Sequence, residues 1–147
     1  MEALESLHLM YLPLTAAATL SVGRLLLANA NCLKVLTIGP DKLEGGREIV
    51  TSVCQCMKLT SLHLWCVAFD DEGLKLFHDF LLMTKSLQTL SVDNCNQRET
   101  RSILQALRSN RSLKKAGLTV KHEDPESLGE EVAGVLSDNT TLESLCL

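Results

Sequence analysis

The fold is decided by residues 59–87, which read LTSLHLWCVAFDDEGLKLFHDFLLMTKSL. The segment opens on a phrase of the form L-x-x-L-x-L, whose apolar residues Leu62 and Leu64 alternate with other residues at the period of a β-strand. Over residues 70–81 the apolar residues recur instead at steps of three and four, the period of an amphipathic helix. Asp70, Asp71 and Glu72 stand where the dipole of that helix favours negative charge. The segment therefore predicts one strand followed by one helix.

The opening phrase recurs along the whole chain. Matching phrases begin at Leu4, Leu33, Leu59, Leu87, Leu113 and Leu142, so successive phrases are separated by 29, 26, 28, 26 and 29 residues. One such phrase is common in any helix, but six phrases at a steady step indicate a repeat architecture. The residue six positions before each later phrase is also apolar, and we expect this set to face a shared core: Leu27, Val53, Leu81, Leu107 and Leu136.

One strand and one helix per unit, joined in the same sense, predict a parallel sheet with helices on its other side. We expect an α/β solenoid of about five repeats, a horseshoe with a concave sheet and convex helices, formed as a single domain by residues 1–147. Gly39-Pro40-Asp41 and Ala116 interrupt the pattern and predict less regular layers. No polar capping segment precedes Leu4 or follows Leu147, so we expect a fragment or a short array without end caps, which predicts self-association through the uncapped ends.

Two further features mark the unit boundaries. Asn110 and Asn139 lie three residues before a phrase and each satisfies a glycosylation sequon, but the turn position predicts that both asparagines hydrogen-bond the backbone of neighbouring turns. The acidic run with Pro125 at residues 123–126 predicts the start of another helix.

The quoted segment resembles a repeat of the ribonuclease-inhibitor-like class of leucine-rich repeats, and the passage FDDEGL at residues 69–74 carries most of the likeness. This class is found in NOD-like receptors and in the GTPase-activating protein of the nuclear-transport GTPase Ran. The position of Cys95, eight residues after the start of its phrase, also resembles the cysteine-containing repeats of F-box proteins. Cys66 stands seven residues after the start of its own phrase, so that register is not kept. The resemblance implies an architecture that serves protein–protein interaction, and it defines no activity.

Because the class includes a GTPase activator, regulation of a small GTPase is the alternative function. Such an activator supplies a positioned polar or arginine side chain to the GTPase site. No residue of this chain matches the functional positions of that family. All six arginines fall in predicted helices or loops: Arg24, Arg47, Arg98, Arg101, Arg108 and Arg111.

Composition narrows the partners. The net charge of -4 and the absence of a Lys/Arg-rich stretch argue against nucleic acid, and no apolar run reaches the roughly 18 residues of a membrane span. The six cysteines include no C-x-x-C spacing, so we expect free thiols in a reducing compartment and a cytoplasmic protein. Glu2 and Glu5 stand where a signal peptide would carry basic residues.

Strand alternation predicts which side chains point away from the core. Trp65 stands near the middle of the resulting concave surface, and an exposed tryptophan is typical of a binding hot spot. Packing of Trp65 against Val67 or Phe69 is the structural alternative. The predicted partner-binding residues are His8, Val35, Thr37, His63, Trp65, Ser91, Asp93 and Lys115.

The same pattern gives no catalytic or metal-binding constellation and implies no cofactor. His8 and His63 lie two strands apart, and zinc needs three or four converging ligands. Alternation places His63 and Cys66 on opposite faces of their strand, which separates a thiol from its candidate base. No phosphate-binding glycine motif is present. The sequence therefore predicts a binding module rather than an enzyme.

Overall fold

The computed structural model describes residues 3–121 and 128–147. In chain order its elements are β1 (Ser6–Met10), β2 (Pro13–Leu14), α1 (Ala16–Ala28), β3 (Val35–Gly39), β4 (Lys42–Leu43), α2 (Gly46–Val53), β5 (Ser61–Trp65), α3 (Asp71–Met83), β6 (Thr89–Cys95), α4 (Gln97–Ser109), β7 (Lys115–Val120), α5 (Gly129–Asp138) and β8 (Ser144–Cys146). The helix start predicted at residues 123–126 lies outside the described residues. No helix in the described ranges is both long enough and apolar enough to cross a membrane.

The recurring phrase pairs with copies of itself. Strands β1, β3, β5, β6, β7 and β8 form one sheet in that order, and every neighbouring pair is parallel. The second apolar residue of each phrase stands opposite its equivalent in the next strand, along the row Leu7, Leu36, Leu62, Leu90, Ala116 and Leu145. Strands β2 and β4 form a separate parallel pair. The predicted α/β class with a parallel sheet is confirmed.

The core lies between the sheet and the helices. Inward strand residues such as Leu36 and Leu62 are fully buried against helix residues such as Ile49 and Phe77. Ala116 is buried in the leucine row despite its smaller side chain. Ala116 pairs in register with Leu90, and the register shift between β6 and β7 lies further along, between Val92 and Cys95.

Two of the five core positions predicted from spacing are wrong. Val53, Leu81 and Leu107 are buried, but Leu27 is 51% exposed and Leu136 is 69% exposed. In both units the preceding residue, Leu26 or Val135, takes the core position with no exposure. Leu27 lines a groove between α1 and α2, and Leu136 lies on the last described helix. These two helices cover the core with a narrower apolar face than α3 and α4, each of which buries two consecutive residues at this point.

Asparagine side chains tie successive turns together as expected. Asn110 is buried, and its Nδ2 donates to the Leu81 carbonyl at 2.6 Å. Its Oδ1 accepts from the backbone N–H of Ser112 at 3.0 Å and of Leu113 at 2.8 Å. Asn139 repeats the arrangement one unit later, where Nδ2 donates to the Leu107 carbonyl. Each amide therefore hydrogen-bonds both its own turn and the backbone of the preceding unit.

Ion pairs connect most neighbouring helices on the outer surface. Arg47 of α2 contacts Asp70 and Glu72 at 2.6 and 2.5 Å, and Arg98 of α4 contacts Asp71 of α3. Asp70 also caps α3 by accepting from the Gly73 N–H, and this bond together with Arg47 holds the pKa of Asp70 below its usual value. Two pairs join α4 to α5, Arg101 with Glu131 and Arg108 with Asp138. All these carboxylates and guanidinium groups are at least partly exposed, so each pair contributes little to stability on its own.

We predict that Asn110→Ala lowers the free energy of unfolding by about 3 kcal/mol, because it leaves a buried carbonyl and a buried N–H without partners. Chemical denaturation monitored by circular dichroism measures the loss. Ser109→Ala, at an exposed neighbouring position, is the matched control and should change stability by less than about 0.5 kcal/mol. Equal effects at the two positions would contradict the structural role of the Asn110 amide.

Candidate functional site

The sheet has one face that the helices do not cover, which we call the open face. The side chains of His63 and Trp65 on β5 point to it, while Leu62 and Leu64 between them are buried. All eight residues predicted for partner binding lie at outward positions of this alternation, and each is partly or fully exposed.

A hollow of about 680 Å³ lies on the open face, where the strands end. It is lined by Met10, Tyr11, His63, Trp65, Cys66, Asp93, Asn94, Thr119, Val120 and Lys121. The lining comes from the ends of β1, β5, β6 and β7 and from residues that follow them. Loops and strand ends on a rigid sheet are common places for binding residues.

One wall of the hollow is apolar. The rings of Tyr11 and Trp65 meet edge to face, with centroids 5.6 Å apart and an interplanar angle of 87°. Gly39 lies between their strands, and a Cβ there would stand 2.6 Å from the Met10 sulfur and 3.3 Å from the Trp65 ring. A side chain at this position would have to displace the end of the flexible Met10 side chain and would crowd the Trp65 ring. Trp65 packs against Tyr11 in this arrangement, and it remains partly exposed.

The opposite wall is polar and internally bonded. His63 Nε2–H donates to Asp93 Oδ2 at 2.6 Å, and the Thr119 hydroxyl donates to Asp93 Oδ1 at 2.6 Å. The side chains of His63 and Asp93 are 39% and 25% exposed, so the network borders solvent. Because both carboxylate oxygens are engaged, Asp93 fixes the rotamers of residues on β5 and β7. This wall is held in one geometry before any partner arrives.

Three non-glycine residues that line the hollow have left-handed backbone conformations. Tyr11, Cys66 and Asn94 have φ angles of 57°, 56° and 67°, and each stands seven residues after the start of its phrase. Strand alternation alone would point these side chains into the core, but all three are exposed. In β6 the left-handed residue coincides with an extra residue relative to β7, after which Cys95 re-enters the core.

The separation predicted for His63 and Cys66 is wrong. Both residues line the hollow, because the left-handed turn at Cys66 reverses the face on which its side chain would fall. The Cys66 sulfur has a weak contact of 3.7 Å with Asn94 Nδ2, and His63 is engaged by Asp93. Sequence reasoning also missed Tyr11 and Asn94, for which the shared position in three units was the available signal.

The predicted site residues divide into two groups. His63, Trp65 and Asp93 line the hollow. The others lie on the open face outside its lining, and His8 there contacts Ser6 and Thr37 through its two ring nitrogens at 2.9 and 3.0 Å. The second group consists of His8, Val35, Thr37, Ser91 and Lys115.

All six cysteines are free thiols. Burial raises the pKa of Cys54 to about 12, of Cys56 to about 11 and of Cys95 to about 12. Cys66 and Cys146 are exposed. Within the described ranges, no group of three or more His, Cys, Asp or Glu side chains is placed to hold a metal ion.

No family model matches this chain, and no curated protein matches it. Among solved structures it is similar to the one titled leiomodin-1 actin-binding site 2, with a TM-score of 0.64 and 19% sequence identity. The likeness covers 92% of this chain and 80% of that one. At this level of identity the two proteins share a fold, and the likeness extends no further.

We predict that alkylation of the native protein at about pH 8 modifies Cys66 and Cys146 first and Cys54, Cys56 and Cys95 last, because burial suppresses the reactive thiolate of the last three. Peptide mapping by mass spectrometry at increasing times gives the order. Alkylation after denaturation without a reductant should then modify all six cysteines. A bridged pair, or labelling of Cys95 as fast as Cys66, would contradict the structure.

We also predict that Cys66→Val lowers the free energy of unfolding by about 1–2 kcal/mol, since a β-branched side chain is strained at positive φ. Cys66→Gly should be neutral or stabilising by up to about 1 kcal/mol. Cys146→Val is the matched control, because Cys146 is exposed on an extended strand. Thermal and chemical unfolding compare the three variants, and an equal loss at both positions would rule out a strained backbone at Cys66.

Proposed function

We propose that this chain is a leucine-rich repeat solenoid of the ribonuclease-inhibitor-like class and that it binds a protein partner through its open face rather than acting as an enzyme. The repeat assignment is supported by the self-pairing of the recurring phrase and by the helix between successive strands of the main sheet. In such an array the sheet forms a concave surface, which serves as a binding face in repeat proteins.

The observation that carries the binding role is the preformed hollow around Trp65. Its apolar wall presents a tryptophan and a tyrosine, two residue types that lose little entropy on binding and are common in interfaces. Its polar wall is fixed by Asp93. A partner side chain that enters the hollow can gain apolar contact on one side and hydrogen bonds on the other, with little reorganisation of the protein.

Actin is the first partner to test. The similar solved structure is titled as an actin-binding site of leiomodin-1, and a shared fold makes actin a candidate without establishing it. Co-sedimentation with filaments and titration of labelled monomers test the two forms of actin separately. A pull-down from cytosol tests other partners in parallel.

We predict that Trp65→Ala weakens binding to a true partner by about 2 kcal/mol or more, because the variant removes the centre of the apolar wall. The melting temperature should also fall by several degrees, since Trp65 is partly buried and its edge-to-face contact with Tyr11 contributes about 1 kcal/mol beyond the burial of its ring. Titration calorimetry and thermal unfolding measure the two effects on the same samples.

Met83→Ala is the matched control. Met83 is a large apolar residue, 69% exposed, on α3 and away from the open face. Loss of the partner with Trp65→Ala but not with Met83→Ala supports the open face as the interface. Loss with Met83→Ala alone places the interface on the helices and overturns the proposal.

A further inference from the structure

The surface between α1 and α2 differs from the other helix boundaries. The boundaries α2–α3, α3–α4 and α4–α5 are crossed by ion pairs. Among the described residues, no ion pair crosses from α1 to α2. A groove of about 340 Å³ lies there instead, which we call the α1–α2 groove.

The floor of the groove is narrow and internally satisfied. Gly23 and Ser52 are both buried, and a Cβ on Gly23 would stand 3.0 Å from the Ser52 hydroxyl. That hydroxyl donates to the Glu48 carbonyl at 2.8 Å. The close approach of the two helices leaves a channel whose floor offers no unused hydrogen-bond donor.

The α1 wall presents two exposed leucines. Leu20 and Leu27 are each 51% exposed and line the groove seven residues apart. Seven residues of helix span about 10.5 Å, or two turns. Side chains at this spacing lie on one helix face, so the two leucines form one ridge, with Arg24 on the turn between them.

A cation, Arg24, lies between the two leucines. Arg24 lines the groove and forms neither a hydrogen bond nor an ion pair with residues 3–121 or 128–147. Arg47, on the opposite wall, is already held by Asp70 and Glu72. The Glu48 carboxylate points toward Gly45, with Oε2 2.9 Å from the place a Cβ would take there. The groove therefore combines apolar contact with a guanidinium group that makes no ion pair with the described residues, although the Glu48 carboxylate also belongs to its lining.

We propose that the α1–α2 groove docks an amphipathic α-helix of a partner protein, with apolar residues on one face and an aspartate or glutamate that pairs with Arg24. Both walls are helices whose backbone groups are internally bonded, so they offer no strand edge to an extended peptide. The occupant must satisfy its own backbone hydrogen bonds, as a helix does. A third helix also fits the channel between two others by packing ridges into grooves.

A display library of helix-forming peptides of about 18 residues, selected on the intact chain, tests the proposal directly. Selected sequences should carry apolar residues at helical spacing together with an acidic residue. Fluorescence anisotropy then compares their affinities for wild type and variants. Leu27→Glu and Arg24→Glu should each weaken binding about tenfold or more, because one breaks the ridge and the other repels the acid.

Leu25→Glu is the matched control, since Leu25 is exposed on the same helix but does not line the groove. It should change affinity by less than about twofold, and Trp65→Ala should do the same, which separates this surface from the open face. Replacing the acidic residue of a selected peptide by lysine should restore binding to Arg24→Glu. Thermal unfolding checks that each variant is folded, and Leu20→Glu replaces Leu27→Glu if the latter is not.

Three results would overturn the proposal. Selection could yield no peptide, or peptides whose affinity is unchanged by the groove variants. Selected peptides could lack an acidic residue and bind the Arg24→Glu variant with unchanged affinity. Analytical ultracentrifugation could show that the wild-type chain dimerises and that Leu27→Glu abolishes the dimer, in which case the occupant is a second copy.

Discussion

Each layer of this protein obtains a complete core only from its neighbours. A single strand–helix unit is too thin to bury its own leucines, so the row through Leu36, Leu62 and Leu90 must be stacked in register by parallel pairing. The register in turn requires each turn between helix and strand to have a defined geometry. The amide groups of Asn110 and Asn139 provide it by bonding both their own turn and the carbonyl of the preceding unit.

This constraint explains why much of the fold could be predicted from the sequence. The phrase that begins at Leu59 carries both the strand period and the repeat step, so strand order and the inward residues follow from spacing alone. Spacing could not predict how much of each helix surface is buried by its neighbours. Leu27 and Leu136 share the spacing of Leu81 but lie at a groove and on the last described helix, where fewer neighbours bury them.

The candidate site was less accessible to sequence reasoning because it depends on backbone angles at the strand ends. Alternation correctly placed His63, Trp65 and Asp93 on one face, since it is a property of extended backbone. It failed at Tyr11 and Cys66, where a left-handed residue ends the alternation. The register shift between β6 and β7 likewise has no signature in residue spacing. Regulation of a small GTPase stays a prediction that only a hydrolysis measurement addresses.

The contact between Tyr11 and Trp65 joins the first strand of the sheet to the third across Gly39. Among the described residues β1 pairs with one strand only, β3, and a segment with fewer packed neighbours opens locally at lower free-energy cost. Opening of the first unit would remove Met10 and Tyr11 from the hollow and leave the polar wall on β5, β6 and β7 intact. A ligand that contacts both walls is therefore thermodynamically linked to the folding of the first unit, and its binding should slow amide hydrogen exchange in β1 and α1.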